Sequence, residues 1–62
     1  MAKDIAGVEF KTGDYALKSG TDEKRLIIDM TDTTVRLNGE PEEVAWQPGA
    51  DFVIIGNVSD FN

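Results

Sequence analysis

Lys24-Arg25-Leu26-Ile27-Ile28-Asp29-Met30-Thr31-Asp32-Thr33-Thr34-Val35-Arg36-Leu37-Asn38 reads as a β-hairpin. Leu26, Ile28 and Met30 share one parity and Val35 and Leu37 the other. The period-2 alternation breaks only at the polar Thr31-Asp32, where a turn belongs. For both apolar sets to face one side, Ile28 must sit opposite Val35 and Leu26 opposite Leu37. The loop then has an even number of residues, either Thr31-Asp32 or Met30 to Thr33, because a slip of one turns a whole apolar set to water.

Outward from this hairpin the chain is punctuated by turn residues. Met1 to Asp4 is polar and predicted to be a frayed or docked end. Ala6, Val8 and Phe10 alternate as a short strand, and Lys11-Thr12-Gly13-Asp14 is a turn in which Gly13 can take a positive φ. Tyr15 and Leu17 follow at strand spacing with Ala16 and Lys18 on the other face, and Ser19 to Glu23 is a polar loop. Beyond the hairpin, Asn38-Gly39 is a strong type I′ signal, but Pro41 cannot donate to a ladder and favours a longer loop, Asn38 to Glu42. Glu43 to Gln47 is predicted as a strand with Val44 and Trp46 on one side. Pro48-Gly49 suits a type II turn with Gly49 at positive φ, and Phe52 to Ile55 is the last strong strand. Val58 to Asn62 is a short end with Phe61 as its one large anchor.

Five or six short strands with turn signals between them predict an all-β fold, a small barrel or sandwich of antiparallel hairpins. No sustained 3.6-residue apolar stripe argues for a helix. The 62 residues form one domain, residues 1–62, and a chain this short buries only about 60% of its unfolded surface. With no cysteine and no histidine, disulfides are excluded and a structural zinc site lacks its usual ligands. Stability must come from packing, or from packing plus a partner.

Twelve acidic against six basic residues give a net charge of −6, which opposes attraction to phosphate backbones and anionic membrane surfaces. No apolar run approaches the ~20 residues that span a bilayer. Met1-Ala2-Lys3-Asp4 opens without the apolar core of a signal peptide, so a cytoplasmic chain without membrane contact is expected.

Phe10-Lys11-Thr12-Gly13-Asp14-Tyr15-Ala16-Leu17-Lys18-Ser19-Gly20 resembles the opening strand of small bacterial SH3-like barrel proteins of the broad KOW-like group. In these a Phe-x-x-Gly-Asp turn leads into an apolar strand ending Leu-Lys-Ser-Gly. Val44-Ala45-Trp46, with Phe52 downstream, is similar to their Trp-bearing and closing strands, so the resemblance runs from Phe10 to Ile55. It implies a five-stranded, strongly bent barrel that binds through loops and an exposed strand edge. Some KOW-like domains bind RNA or ribosomal and transcription proteins, a property that the acidic charge of this chain opposes. Fold analogy alone does not transfer function.

The residues argue against an enzyme. Histidine and cysteine, the commonest general base and thiol nucleophile, are absent, and Ser19, Ser59 and Tyr15 have no histidine to activate them. Asp29 with Asp32, and Glu40 with Glu42 and Glu43, are paired carboxylates of the kind that hold Mg²⁺ or Ca²⁺. Asp is commonplace at turns, however, and the Glu run lacks calcium-loop spacing. Neither a metal nor a cofactor is expected. Trp46 with Tyr15, Phe10 and Phe52 suits either an aromatic cage or a core. Arg36, across from Ile27 and diagonal to Asp29, is expected in a local ion pair. Ile27 faces away from Leu26 and Ile28, and Val53 and Ile55 face away from Phe52 and Ile54. Two strands thus carry apolar residues on both surfaces, as strands do when both faces are covered. The expected reading is a non-enzymatic SH3-like module. It would bind a protein partner or a second copy through Ile27, Val53 and Ile55, with Trp46 and Tyr15 as further candidates. An acidic nucleic-acid mimic, or a nucleic-acid-associated KOW-like domain, is the alternative. The mimic requires Asp22, Glu23, Glu40, Glu42, Glu43 and Asp51 to share a face.

Overall fold

The computed structural model describes residues 1–61, Phe61 by its backbone alone. The expectation that the Phe61 side chain anchors the tail lies outside the described residues. Five strands form one antiparallel sheet: β1 (Asp14–Lys18), β2 (Lys24–Met30), β3 (Thr34–Leu37), β4 (Trp46–Pro48) and β5 (Phe52–Asn57). Their order is β4-β3-β2-β1-β5, so consecutive hairpins build the middle and β5 returns to pair with β1. One helical turn, α1 (Glu42–Ala45), precedes β4, and a 3₁₀ turn, Gly49–Asp51, joins β4 to β5. The fold is therefore all-β. The sheet is not closed among the described residues, because β4 and β5 are its two edges.

The decisive hairpin forms, with a register of its own. Met30 lies opposite Val35, Asp29 opposite Arg36 and Ile27 opposite Leu37, and the register shifts between Ile27 and Asp29. Ile28 is the extra residue of a β-bulge, a device that bends a strand and re-aims its side chains. On the turn side of the bulge Met30 packs against the core with Val35, in the parity that alternation predicts. Beyond it the parity inverts. Ile27 is fully buried, and Ile28 is 40% exposed. The pairing of Ile28 with Val35 and Leu26 with Leu37 is corrected accordingly, and Ile27 belongs to the core and not to a partner surface. The reason is local: Leu26-Ile27-Ile28 is apolar throughout, so the residues carry no alternation with which to resist a shift. The loop is Thr31 to Thr34, closed by Thr31 N–H to the Thr34 carbonyl at 2.8 Å and by Thr34 N–H to Thr31 Oγ1 at 3.0 Å.

The N-terminal segment is docked. Ala2 N–H donates to the Thr31 carbonyl at 3.1 Å, and Phe10 N–H to the Ala2 carbonyl at 3.0 Å. Ala2 and Phe10 both enter the core, with Ala16, Ile27, Val35, Leu37 and Phe52. Between them the chain folds on itself with a single bridge, Lys3 to Glu9, in place of the strand predicted around Ala6 to Phe10. The buried Asp4 holds this fold together. Its Oδ1 accepts Ala6 and Val8 N–H at 2.9 Å each, and its Oδ2 accepts Ile54 N–H at 3.0 Å. A carboxylate thus caps a donor of edge strand β5 that would otherwise lie open to another chain.

Three turns refine the sequence reading. Gly13 takes φ +91°, and Lys11 N–H donates to Asp14 Oδ2 at 2.7 Å, as the Gly-Asp turn predicts. Asn38 has no positive φ, so Asn38-Gly39 is not the type I′ turn. The longer loop forms instead and leads into α1, where a strand Glu43 to Gln47 was the prediction. Pro41 stands at the helix entry and Glu42 and Glu43 in its first turn, which suits both residue types. Gly49 has no positive φ either. It is buried, and a Cβ there would lie 3.0 Å from the Lys3 carbonyl oxygen and 3.0 Å from Phe10 Cε2. Close approach of the N-terminal segment, and not turn geometry, requires a glycine.

Candidate protein-binding face

Cross-strand partners define the outer side of the sheet. Tyr15 lies opposite Leu26, and Leu17 lies between Lys24 on β2 and Val53 on β5, so these side chains share one face. On the β3 side Arg36 lies between Asp29 and Trp46. Ala16, between Arg25 and Ile54, belongs to the inner face. A second register shift, in the β1–β5 ladder, leaves Ile55 as an extra residue, 49% exposed. Both bulges thus carry an exposed isoleucine, on strands whose outward Tyr15, Leu17, Leu26 and Val53 are half-buried.

Of the predicted partner residues, Tyr15, Val53 and Trp46 are on the outer face and Ile55 is exposed at the β5 bulge, while Ile27 is inside. Ile28, Leu17, Leu26 and Lys24 join that face without having been singled out by the sequence. A run of three apolar residues on β2 requires one side chain or more on each face, but it leaves the inward one open until the bulge is known. The aromatic cage does not assemble. Phe10 and Phe52 are fully buried in the core, and Tyr15 and Trp46 stand on the other side of the sheet.

The cations of this face lie over its aromatics. Lys24 Nζ is 4.9 Å from the Tyr15 ring centroid and Arg36 Cζ is 5.9 Å from that of Trp46, geometry worth about 0.5–1 kcal/mol at exposed sites. Arg36 pairs with Glu42 at 2.8 Å, and not with the neighbouring Asp29. Arg25, on the inner side, pairs with Glu40 at 2.9 Å. Glu40 and Glu42 therefore turn to cations on opposite sides of the sheet, which disperses the acidic set that a nucleic-acid mimic needs on one face. Among the described residues, no three of the acidic side chains gather where a metal ion would be held. An open groove of about 440 Å³ runs between Val8–Asp14 and Ile54–Asp60. Its buried carboxylate, Asp14, is satisfied by Lys11 N–H and by Asn57 Nδ2, each at 2.7 Å.

No helix among the described residues is long and apolar enough to cross a membrane. No protein-family model, curated protein or solved structure matches the chain at a significant level.

Proposed function

We propose that this chain is a non-enzymatic protein-binding module, a small acidic SH3-like domain that acts through protein–protein contact. The SH3-like reading is supported by five short antiparallel strands in the order β4-β3-β2-β1-β5, bent at two bulges. The observation that carries the binding reading is the outer face itself. Ile28 and Ile55 are exposed on strands whose outward Leu17, Leu26 and Val53 are only half-buried, in a sheet whose other side already holds the core. Apolar residues left exposed in this way suit an interaction site.

Charge bears on the occupant. On this face Lys24 and Arg36 are balanced by Asp29 and by Glu42, which is bound to Arg36, while the chain as a whole carries −6. A second copy brings the same net negative charge to the contact, whereas a different protein with an apolar centre and a neutral or basic rim complements the chain in both respects.

A photo-crosslinking side chain placed at Ile28, at Ile55 and, as a control, at Asp22 in the loop tests the reading in the cell of origin. One protein captured at both isoleucines and not at Asp22 supports it when, as a purified protein, it binds the native chain and not Ile28→Glu. Equal capture at all three positions, a dimer by light scattering, or tight binding of a single-stranded RNA oligonucleotide in its place overturns it.

A further inference from the structure

Asn38-Gly39 occupies the exit from β3, and its two residues are held very differently. The Asn38 backbone N–H donates to the Leu26 carbonyl at 2.9 Å, which fixes that residue at the last rung of the ladder while its side chain is exposed. Gly39 is exposed at φ +84°, with nothing within 4 Å of where a Cβ would stand. Among the described residues its N–H donates to no acceptor. A side-chain amide is thus next in the chain to an unhindered main-chain nitrogen that no hydrogen bond restrains.

We propose that Asn38-Gly39 is a self-modification site at which the protein slowly loses ammonia. Base removes the proton from the Gly39 nitrogen, which attacks Asn38 Cγ. The new C–N bond closes a five-membered imide, and the Cγ–Nδ2 bond breaks as the amide nitrogen leaves as ammonia, taking up a proton from solvent. Water then opens the ring. Addition at Cγ gives aspartate, and addition at the main-chain carbonyl gives isoaspartate. The balance is one water consumed and one ammonia released, with no oxidant or reductant.

The same molecule contains a control. Asn57 is followed by the β-branched Val58, and its amide is engaged at both ends: Nδ2 donates to Asp14 Oδ1 at 2.7 Å, and Oδ1 accepts Ser59 N–H at 3.0 Å. Position gives the reaction a consequence. Either product adds a negative charge beside Glu40, whose Oε1 holds Arg25 Nε at 2.9 Å. Isoaspartate also inserts a methylene into the main chain between the fixed rung at Asn38 and that ion pair. The β3–α1 connection, which the Arg25–Glu40 pair ties to β2, is what the modification loosens.

The test is to hold the purified native protein in mildly acidic and in mildly alkaline buffer, and to follow Asn38 and Asn57 by peptide mapping that separates aspartate from isoaspartate. The expected result is conversion at Asn38, faster in alkali and with isoaspartate among the products, while Asn57 keeps its amide. An acidic species on ion exchange should accumulate in step, and be absent from Asn38→Gln. Retention of the Asn38 amide, under conditions where a free Leu-Asn-Gly-Glu peptide converts, overturns the proposal. So does equal conversion of Asn57, which would assign the reaction to unfolded chains.

Discussion

Ile27 and Ile28 are adjacent, chemically identical and opposite in consequence. Ile27 is fully buried among Phe10, Phe52, Val35 and Leu37, whereas Ile28 projects from the bulge. Ile27→Ala is expected to cost about 2–5 kcal/mol, most of the about 3–9 kcal/mol that a domain of this size has in total. Ile28→Ala should stay within about 0.5 kcal/mol of the native protein. Urea denaturation of the pair measures the difference, and equal losses would place the bulge elsewhere. Asp4 is the other residue on which the fold turns. Burial by itself raises its pKa, but the N–H groups of Ile54, Val8, Ala6 and Gly7 outweigh that and hold the carboxyl below its usual range. A carboxyl depressed in the folded state stabilises the protein above the unfolded value, about 3.9. That contribution is lost as pH falls through the lower folded value. Asp4→Asn leaves an amide facing the Ile54 donor, so it should cost about 1–3 kcal/mol at neutral pH. It should also flatten the acid limb of stability against pH, which denaturant titrations across the acid range would read. Nothing near Asp4 in the sequence announced this role, because one of its partners is Ile54, 50 positions away.

Elements divide by how locally they are specified. The Gly13-Asp14 turn and the strands on either side of Thr31 to Thr34 were legible, since each rests on turn chemistry or alternation within a few residues. The single turn α1 was not. Pro41, Glu42 and Glu43 are fitting residues for a helix start, but four residues are too few to show a helical period. Pro48-Gly49 suggests a turn residue, whereas what Gly49 must accommodate is the Lys3 carbonyl and the Phe10 ring from the far end of the chain. Gly49→Ala is accordingly expected to cost about 1–3 kcal/mol by overpacking, and to speed hydrogen exchange at the Ala2 and Phe10 amides before those of β2 and β3. Gly39→Ala, in open space, should carry only the left-handed backbone penalty of about 1–2 kcal/mol and leave the N-terminal exchange unchanged.

At the scale of the whole molecule, the all-β class and the presence of apolar residues on both sides of the sheet could be read from the chain, whereas of the five or six strands predicted the one around Ala6 to Phe10 is absent. The two bulges could not, since each is decided by ladders formed with distant neighbours, and a single bulge exchanges the identities of buried and exposed residues. The outer apolar side of the sheet was therefore legible as a necessity and only in part as a set of positions: Val53, Trp46 and Tyr15 are there, and Ile28 is exposed where the sequence predicts Ile27. Two contacts span most of the chain, the Asp14–Asn57 rung and the hydrogen bond from Ile54 N–H to the Asp4 carboxylate, and pairings so remote are expected to form late. A growing polypeptide therefore cannot settle into this architecture while β5 is still inside the ribosome. Until then Phe10 and Ala16 lack Phe52, the core side chain that β5 supplies.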